Sequence, residues 1–295
     1  MIIFCTDLDN TLIYSYKKEI GEEKRCVEIY KDREVSFITE KSFQLLTKIA
    51  KKAMVVPVTT RTVEQYQRVK LGIGMPKYAL TCNGGVLLKD GERDIEWYYD
   101  SLKLAEKSRD ELWKAQDILK FDRDRSMEVR FIEELFVFTK SREPKRTVHK
   151  LREELDLSKI DVFSNGVKIY AIPKSLTKGN AICRLKESLG IEYMTAKGYD
   201  IFDLIMTAEE NGKFDLNTVI SKNSDFDLTV ITAGDSEFDL TMIEEADMAV
   251  IPELLAEKLE ETWLEEKRMQ EKCMVIGKEK IYSDELLEYI FEKIK

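Results

Sequence analysis

Three short apolar segments of the chain each end at polar residues of the kind that carry out chemistry. The segments are residues 2–5, 54–58 and 228–232, and the polar residues after them are Asp7, Thr59 and Asp235. Helical patterns, such as those of residues 40–52 and 63–71, lie between them. Strands that alternate with helices predict an α/β protein in which a parallel sheet has helices on both faces. Because ligands bind beyond the carboxyl ends of such strands, we expect the three polar clusters to meet at one edge of the sheet.

The middle of the chain has a different pattern, in which helical segments precede pairs of strand candidates. The helical segments are 101–119 and 145–155, and the strand candidates are 128–132, 135–139, 160–164 and 167–172. Asn165-Gly166 separates the last two candidates, and Asn-Gly between alternating hydrophobic residues is a strong hairpin signal. The region therefore predicts a duplicated helix-hairpin unit, in which a four-stranded antiparallel sheet carries two helices on one face.

This α+β region is predicted to be a second domain, residues 86–173, inserted into a first domain of residues 1–85 and 174–295. The insertion follows from the chain order, since the Asp235 segment comes after the helix-hairpin units. Asn83-Gly84-Gly85 precedes the insertion and is either a tight turn or the hinge into the second domain. Residues 191–227 give no clear pattern, whereas residues 281–295 predict an amphipathic helix with Ser283 as its N-cap.

The composition argues against several classes of function. The chain has 295 residues and a formal net charge of -9, which argues against bulk affinity for nucleic acid or anionic membranes. A phosphate-binding site in such a chain has to be local and built from a few cations. The five cysteines are scattered and lack CxxC spacing, so we expect free thiols in a reducing cytoplasm. We expect neither a signal peptide nor a membrane span, because no apolar stretch approaches the necessary length.

Asp7 and Asp9 lie two residues apart after the first apolar segment. Two carboxylates at such a position can converge on one small volume, which suits a hard cation such as Mg²⁺ and an in-line attack on phosphorus. Asp7 is the candidate nucleophile, since a carboxylate can attack phosphorus and form an acyl phosphate. Asp9 is the candidate general acid that protonates the leaving alcohol, and then the general base that activates water. The alternative for an Asp-x-Asp pair is a turn or a helix cap without a catalytic role.

A second acidic pair follows the last apolar segment. Asp235 and Asp239 are four residues apart at a strand-to-helix turn, so both can face one cavity. We expect Asp235 to be a direct Mg²⁺ ligand and Asp239 to act through water. The alternative is a capping box with acidic residues in the first turn of a helix.

Thr59 and Lys178 are candidates for binding a phosphate group. The hydroxyl of Thr59 can donate to a phosphoryl oxygen, and Arg61 nearby can contact the substrate or an anion. The alternative is that Thr59 is the N-cap of the next helix, and both roles can hold at once. Lys178 can neutralise a phosphate, although a solvated lysine is the more common case.

Four motifs, taken in chain order, resemble those of the haloacid dehalogenase superfamily of phosphohydrolases. They are Asp-x-Asp-x-Thr-Leu at residues 7–12, Thr59 after a strand, Lys178-Gly179, and Gly-Asp-x-x-x-Asp at residues 234–239. Asn83-Gly84-Gly85 and the inserted helix-hairpin units resemble the subgroup whose cap lies between the second and third motifs. Cof-like sugar phosphatases, sucrose-phosphate phosphatases and phosphomannomutases belong to that subgroup. The resemblance implies a Rossmann-like core, a mobile cap that shields the site from water, and dependence on Mg²⁺.

The resemblance also implies roles for single residues. Asp7 is the implied nucleophile and Asp9 the implied acid and base. The implied metal ligands are Asp7, Asp235, the backbone carbonyl of Asp9 and, further out, Asp239. The predicted phosphate-binding residues are Asn10, Thr59, Thr60 and Lys178, and the predicted substrate contacts are Arg61 and Asn83.

Two positions depart from the pattern of the superfamily. Thr60 stands where many relatives have glycine, and Phe238 stands where many have asparagine. Substrate choice in such enzymes comes from the cap, in which the candidates are Trp97, Arg109, Arg123, Arg125 and Arg130.

We therefore expect a Mg²⁺-dependent phosphatase that acts on a small phosphorylated metabolite, with a sugar phosphate as the favoured class. The alternatives are a phosphomannomutase-like phosphotransferase of the same fold and a non-catalytic regulatory module that binds Mg²⁺ or phosphate.

Overall fold

The computed structural model of the protein describes residues 1–196, 227–269, 271–277 and 281–295. Most of the segment 191–227, for which the sequence gives no clear pattern, lies outside the described residues. The chain divides into two compact units. The first comprises Met1–Pro57, Lys70–Pro76 and Gly179–Lys295, and the second comprises Val58–Val69 and Lys77–Lys178. The second unit thus includes residues on both sides of 86–173, and the predicted domain boundaries stay a prediction.

The strands of the described residues follow in chain order. They are β1 (Ile2–Thr6), β2 (Tyr14–Ser15), β3 (Lys24–Tyr30), β4 (Arg33–Thr39), β5 (Met54–Pro57), β6 (Tyr78–Thr81), β7 (Val86–Lys89), β8 (Glu92–Arg93), β9 (Arg130–Ile132), β10 (Phe136–Lys140), β11 (Ile160–Asn165), β12 (Lys168–Pro173), β13 (Thr229–Ala233), β14 (Met248–Pro252) and β15 (Cys273–Ile276).

The α-helices of the described residues are α1 (Glu40–Ile49), α2 (Val63–Gln67), α3 (Ile95–Glu106), α4 (Arg109–Lys120), α5 (Pro144–Glu154), α6 (Lys178–Ala196), α7 (Leu240–Glu244), α8 (Glu253–Ala256), α9 (Glu261–Met269) and α10 (Tyr282–Lys293). Two short 3-10 turns cover Cys82–Gly84 and Glu237–Asp239. Among these helices, not one has the length and apolar character that crossing a membrane requires.

The first unit is built on a five-stranded parallel sheet with the order β15-β14-β13-β1-β5. The three predicted apolar segments form β1, β5 and β13, so the expected α/β sheet is confirmed. β1 is central and pairs in parallel with both of the other two, for example through Ile3 with Val230 and with Met54. Ile3 and Val230 are fully buried, as expected of a strand that has helices packed around it.

A small antiparallel sheet, β2-β4-β3, lies between β1 and α1 in the chain and is absent from the sequence-based expectation. The register between β3 and β4 shifts twice, around Glu28. Such bulges interrupt the alternation of apolar and polar residues, which is the signal by which a strand is found in a sequence. Glu28 itself is buried and accepts a hydrogen bond from Ser36 Oγ at 2.6 Å.

The second unit contains a four-stranded antiparallel sheet with the order β11-β12-β10-β9. α4 and α5 pack against it, and their apolar side chains share one core with those of the sheet. The core includes Leu112, Leu119, Val137, Leu151 and Ile169. The predicted pair of helix-hairpin units is thereby confirmed. A separate three-stranded sheet, β6-β7-β8, also belongs to this unit.

Two local predictions are wrong. The helical pattern of residues 101–119 is not one helix, because α3 ends at Glu106 and α4 starts at Arg109. The break lies at Ser108, whose backbone leaves helical geometry, with φ -109° and ψ 3°, and whose hydroxyl donates to the carbonyl of Lys159 at 2.8 Å. Ser283 is not the N-cap of α10, which is Ile281. Ser283 is instead buried, where its N–H donates to Tyr14 Oη.

The core of the second unit gives a first test. Leu151 is fully buried between α5 and the sheet, so Leu151→Ala removes methyl groups and leaves a cavity. We expect the free energy of unfolding to fall by about 2–5 kcal/mol, measured by urea denaturation followed by circular dichroism. Leu157→Ala, at a leucine that is 39% exposed, is the matched control and should cost less than about 1 kcal/mol. Equal losses in both variants would contradict the packing described.

Candidate active site

Pairing between β1 and β13 fixes the position of Asp7. The N–H of Asp7 donates to the carbonyl of Ala233 at 2.9 Å, which extends the parallel pairing one residue beyond β1. Asp7 therefore lies beside Gly234-Asp235, the residues that follow β13. Only 7% of Asp7 is exposed.

The carboxylates of Asp7, Asp235 and Asp239 form one cluster. Each offers an oxygen, and these three oxygens all lie within 4.8 Å of one another. Asp7 and Asp239 are buried and Asp235 is half-buried. The structure thus brings together three of the four predicted metal-binding residues, although Asp7 is more than 220 positions from the other two in the chain.

Asp239 belongs to the acidic cluster and also forms the capping box that the sequence allows. Its Oδ2 accepts hydrogen bonds from the N–H groups of Asp235 and Ser236, at 3.1 and 3.0 Å, and from Ser236 Oγ at 2.9 Å. Ser236 and Asp239 form a reciprocal capping box at the start of the 3-10 turn. Oδ2 of Asp239 therefore holds the turn that carries Asp235.

Gly234 is necessary for this arrangement. A Cβ atom at that position would lie 2.2 Å from the Cβ of Asp239 and 2.3 Å from its carboxyl carbon. Glycine lets the two segments approach closely enough for Asp239 to bond the backbone of the turn.

The segment from Leu8 to Ile13 is a tight turn. The N–H groups of Thr11, Leu12 and Ile13 all point to the carbonyl of Leu8, at 3.3, 3.0 and 2.9 Å. Asn10 has a left-handed conformation, with φ 62°, which asparagine tolerates better than most residues. Asp9 is half-buried in this turn, and its side chain is not one of the three clustered carboxylates. The alternative of a structural turn is thus correct for the backbone and is compatible with a chemical role.

Two residues of the site were missed by sequence reasoning. Thr11 Oγ1 lies 3.5 Å from Asp235 Oδ1 and orients that carboxylate. Tyr282 Oη donates to the carbonyl of Val250 at 2.7 Å and lies 3.4 Å from that of Gly234. Burial, together with the charges of Asp235 and Asp239, raises the pKa of Tyr282 well above its usual value, so the phenol keeps the proton that it donates. The position of Thr11 in the Asp-x-Asp-x-Thr motif could have indicated a role at the site. No pattern in the sequence marks Tyr282.

The donor set fits Mg²⁺. Carboxylate oxygens are the ligands that hard divalent cations prefer in proteins. Three carboxylates so close together repel one another, and burial raises the cost of their charges unless a positive charge compensates them. Asp7, Asp235 and Asp239 together could hold such an ion.

The remaining predicted residues belong to the second unit, apart from Asn10 in the turn above. Thr59 is buried, and its N–H donates to the carbonyl of Leu80 while its Oγ1 accepts from the N–H of Arg61. Thr59 is not a helix cap, because the capping box of α2 is made by Thr62 and Gln65. Thr60 and Arg61 are half-buried.

Lys178 is not a solvated surface lysine, since only 2% of it is exposed. It is the first residue of α6. Gly179, which follows, belongs to the first unit, and its N–H donates to Thr241 Oγ1 at 3.1 Å. A Cβ on Gly179 would lie 2.2 Å from the carbonyl oxygen of Thr241, so glycine is required there.

A cleft of about 560 Å³ in the first unit reaches the site. Asn10 and Asp235 are part of its wall, together with the buried Tyr14 and Tyr282. The cleft therefore borders the acidic cluster.

Several solved structures resemble this one along nearly the whole chain. A sucrose-phosphatase from Synechocystis sp. PCC6803, in complex with sucrose and phosphate, has 14% sequence identity and a TM-score of 0.55, over 99% of this chain and 98% of that one. A haloacid dehalogenase-like hydrolase from Bacteroides thetaiotaomicron has 16% identity and a TM-score of 0.50, over 99% of both chains. A protein from Thermoplasma acidophilum has 14% identity and a TM-score of 0.52, over 99% of this chain and 97% of that one. No protein-family model and no curated protein matches the sequence.

At these identities the likeness shows a shared fold. The chain has the fold of the haloacid dehalogenase-like hydrolases, in the form that includes sucrose-phosphatase. The fold expected from the four motifs is confirmed.

Metal binding at the cluster can be tested without an assay of activity. Mg²⁺ at 100 times its dissociation constant stabilises a folded protein by about 2.7 kcal/mol, so it should raise the melting temperature of the wild type. Asp235→Asn should lose most of that increase. Without Mg²⁺ the same variant should melt no lower than the wild type, because one of three repelling charges is gone.

Asp32→Asn is the matched control, since Asp32 is exposed at the turn between β3 and β4 and its φ of 58° suits asparagine. It should keep the full response to Mg²⁺ in differential scanning fluorimetry. A full response in Asp235→Asn would exclude the cluster as the metal site.

Proposed function

We propose that the protein is a Mg²⁺-dependent phosphatase that hydrolyses a small phosphorylated metabolite, with a sugar phosphate as the favoured class. The observation that carries the proposal is the convergence of Asp7, Asp235 and Asp239 beyond the ends of β1 and β13. The shared fold supports it, since the solved sucrose-phosphatase holds sucrose and phosphate.

Asp7 is the proposed nucleophile. Its carboxylate oxygen forms a bond to phosphorus while the bond between phosphorus and the ester oxygen breaks. Asp9 gives its proton to the departing oxygen, which leaves as an alcohol. Asp9 then takes a proton from water, whose oxygen attacks the phosphorus of the aspartyl phosphate. This second step restores the Asp7 carboxylate and releases phosphate.

Asp7, Asp235 and the backbone carbonyl of Asp9 would hold Mg²⁺, with Asp239 acting through water. When bound, the ion supplies positive charge against the carboxylates and the phosphoryl oxygens. Thr11 and the backbone of the 3-10 turn keep Asp235 and Asp239 in place.

Lys178 and Thr59 are the proposed phosphate ligands of the second unit, with Thr60 beside them and Asn10 in the first unit. Burying an ammonium group is costly, so the 2% exposure of Lys178 favours a functional role over a solvent-facing one. Arg61 is the proposed contact with the rest of the substrate. Asn83, the other predicted contact, is buried, and its Nδ2 donates to the carbonyl of Leu176 at 2.8 Å.

The cleft beside Asp235 supports a small substrate. Its volume of about 560 Å³ lies within the range of roughly 300–1,000 Å³ that is usual for small-molecule sites. A group attached to a phosphoryl that reaches Asp235 has room there.

Substitution of the two catalytic carboxylates tests the proposal. We expect the wild type with Mg²⁺ to release phosphate from a panel of phosphorylated sugars, measured by a colorimetric phosphate assay. Asp7→Asn should lower kcat by about 10³-fold or more, because the nucleophile is gone. Asp9→Asn should lower it by about 10²–10⁴-fold, the usual contribution of a general acid and base.

Asp90→Asn serves as the control, because Asp90 is exposed at the turn between β7 and β8 and has φ 49°. It should turn over like the wild type. Undiminished turnover in Asp7→Asn would refute the mechanism. Conversion of a hexose 1-phosphate into an isomeric hexose phosphate, without release of phosphate, would instead support the phosphotransferase.

A further inference from the structure

The turn at Cys82–Gly84 has an unusual backbone. Three consecutive residues are left-handed, with φ of 52° for Cys82, 60° for Asn83 and 86° for Gly84. Residues other than glycine adopt this conformation at a cost, and they keep it where the surroundings fix it. Asparagine is among the side chains that tolerate it best.

Backbone hydrogen bonds tie this turn to the segment that carries Thr59. The N–H of Asn83 donates to the carbonyl of Thr59 at 2.9 Å, and the N–H of Cys82 donates to the carbonyl of Arg61 at 2.8 Å. The N–H of Thr59 in turn donates to the carbonyl of Leu80 at 2.8 Å. The turn and the Thr59 segment are therefore one hydrogen-bonded assembly.

The side chain of Asn83 ties the same turn to the segment that leads into Lys178. Its Nδ2 donates to the carbonyl of Leu176 at 2.8 Å, in a buried environment. Leu176 is two residues before Lys178 and is itself 2% exposed. This bond spans 93 positions of the chain.

Packing around the turn also holds it in place. A Cβ on Gly85 would lie 2.5 Å from Leu135 Cδ1, so glycine leaves the space that this leucine fills. Trp97 Nε1 donates to the carbonyl of Gly84 at 2.9 Å and holds the turn from another side. The segment 82–85 is thus fixed at several points, which favours the tight turn over the hinge.

We propose that Asn83 is a positioning residue, which sets the segment of Lys178 against the segment of Thr59 by bonding both. The inference rests on the proposed function, in which these two residues bind the phosphoryl group. Asparagine meets two demands at once: it tolerates the left-handed backbone and supplies the N–H that Leu176 accepts. Aspartate meets only the first, and it would set a negative charge against the carbonyl of Leu176.

Asn83 has a second polar atom that bears on the assignment. Its Oδ1 is buried and has no hydrogen-bond partner among the described residues. The hydrogen bond from Nδ2 to the carbonyl of Leu176 therefore orients the amide. Without that bond, no hydrogen bond to Oδ1 within the described residues would hold the side chain in place.

The position of Lys178 can be measured directly. Asn83→Gly keeps the left-handed backbone accessible and removes the bond to Leu176. In the full chain with Mg²⁺, labelling of Lys178 by an amine-reactive reagent, quantified by peptide mass spectrometry, should rise about fivefold to tenfold, the change expected for one buried hydrogen bond. Asp90→Gly, which makes the same kind of backbone change at an exposed turn, should leave the labelling as in the wild type.

A double-mutant cycle shows whether the effect on ligand binding passes through Lys178. The affinity for inorganic phosphate with Mg²⁺ is measured by calorimetry. Asn83→Gly and Asn83→Asp should each weaken it about fivefold to tenfold. In the background of Lys178→Ala, Asn83→Gly should add almost nothing, since the group that it positions is gone.

Wild-type labelling of Lys178 in Asn83→Gly, or full additivity with Lys178→Ala, would overturn the assignment. A variant that only melts at a lower temperature, with labelling and phosphate affinity unchanged, would also overturn it. The labelling needs no turnover, so it distinguishes a failure of this inference from a failure of the proposed phosphatase activity.

Discussion

The hydrogen bond from the N–H of Asp7 to the carbonyl of Ala233 is the contact on which the candidate site depends. It carries the pairing of β1 and β13 to the point where both strands end, and it thereby sets Asp7 beside Asp235. Residues more than 220 positions apart share one small volume because two neighbouring parallel strands end at the same edge. Three carboxylates in that volume create a local negative potential that a divalent cation can offset.

The site also depends on a close approach between Gly234 and Asp239. Gly234 admits the side chain of Asp239, whose Oδ2 then accepts three hydrogen bonds from the turn that carries Asp235. An acidic residue buried in this way is held by N–H and O–H donors rather than by a counterion alone. The glycine thus lacks the one atom that would keep Asp239 away from the turn.

Much of the fold follows from the sequence, because its signals are local. The apolar runs of β1, β5 and β13 and the Asn-Gly hairpin of β11 and β12 identify strands without knowledge of their neighbours. The sequence does not predict the small sheet of β2, β3 and β4, because bulges around Glu28 interrupt its alternation of apolar and polar residues. The sequence does not predict the break between α3 and α4 either, because the hydrogen bond of the Ser108 hydroxyl goes to the carbonyl of Lys159, 51 positions away.

The sequence alone determined the chemistry that is available: Asp7, Asp9, Asp235 and Asp239 stand in motifs whose spacing places them after strands or at turns. Tertiary structure alone decided what each side chain bonds. It showed that Asp239 both caps a turn and faces the cluster, that Lys178 is buried, and that Asn83 bonds Leu176. The reason is physical: spacing along a chain fixes the periodicity of an element, whereas burial and long-range hydrogen bonds depend on which elements pack together.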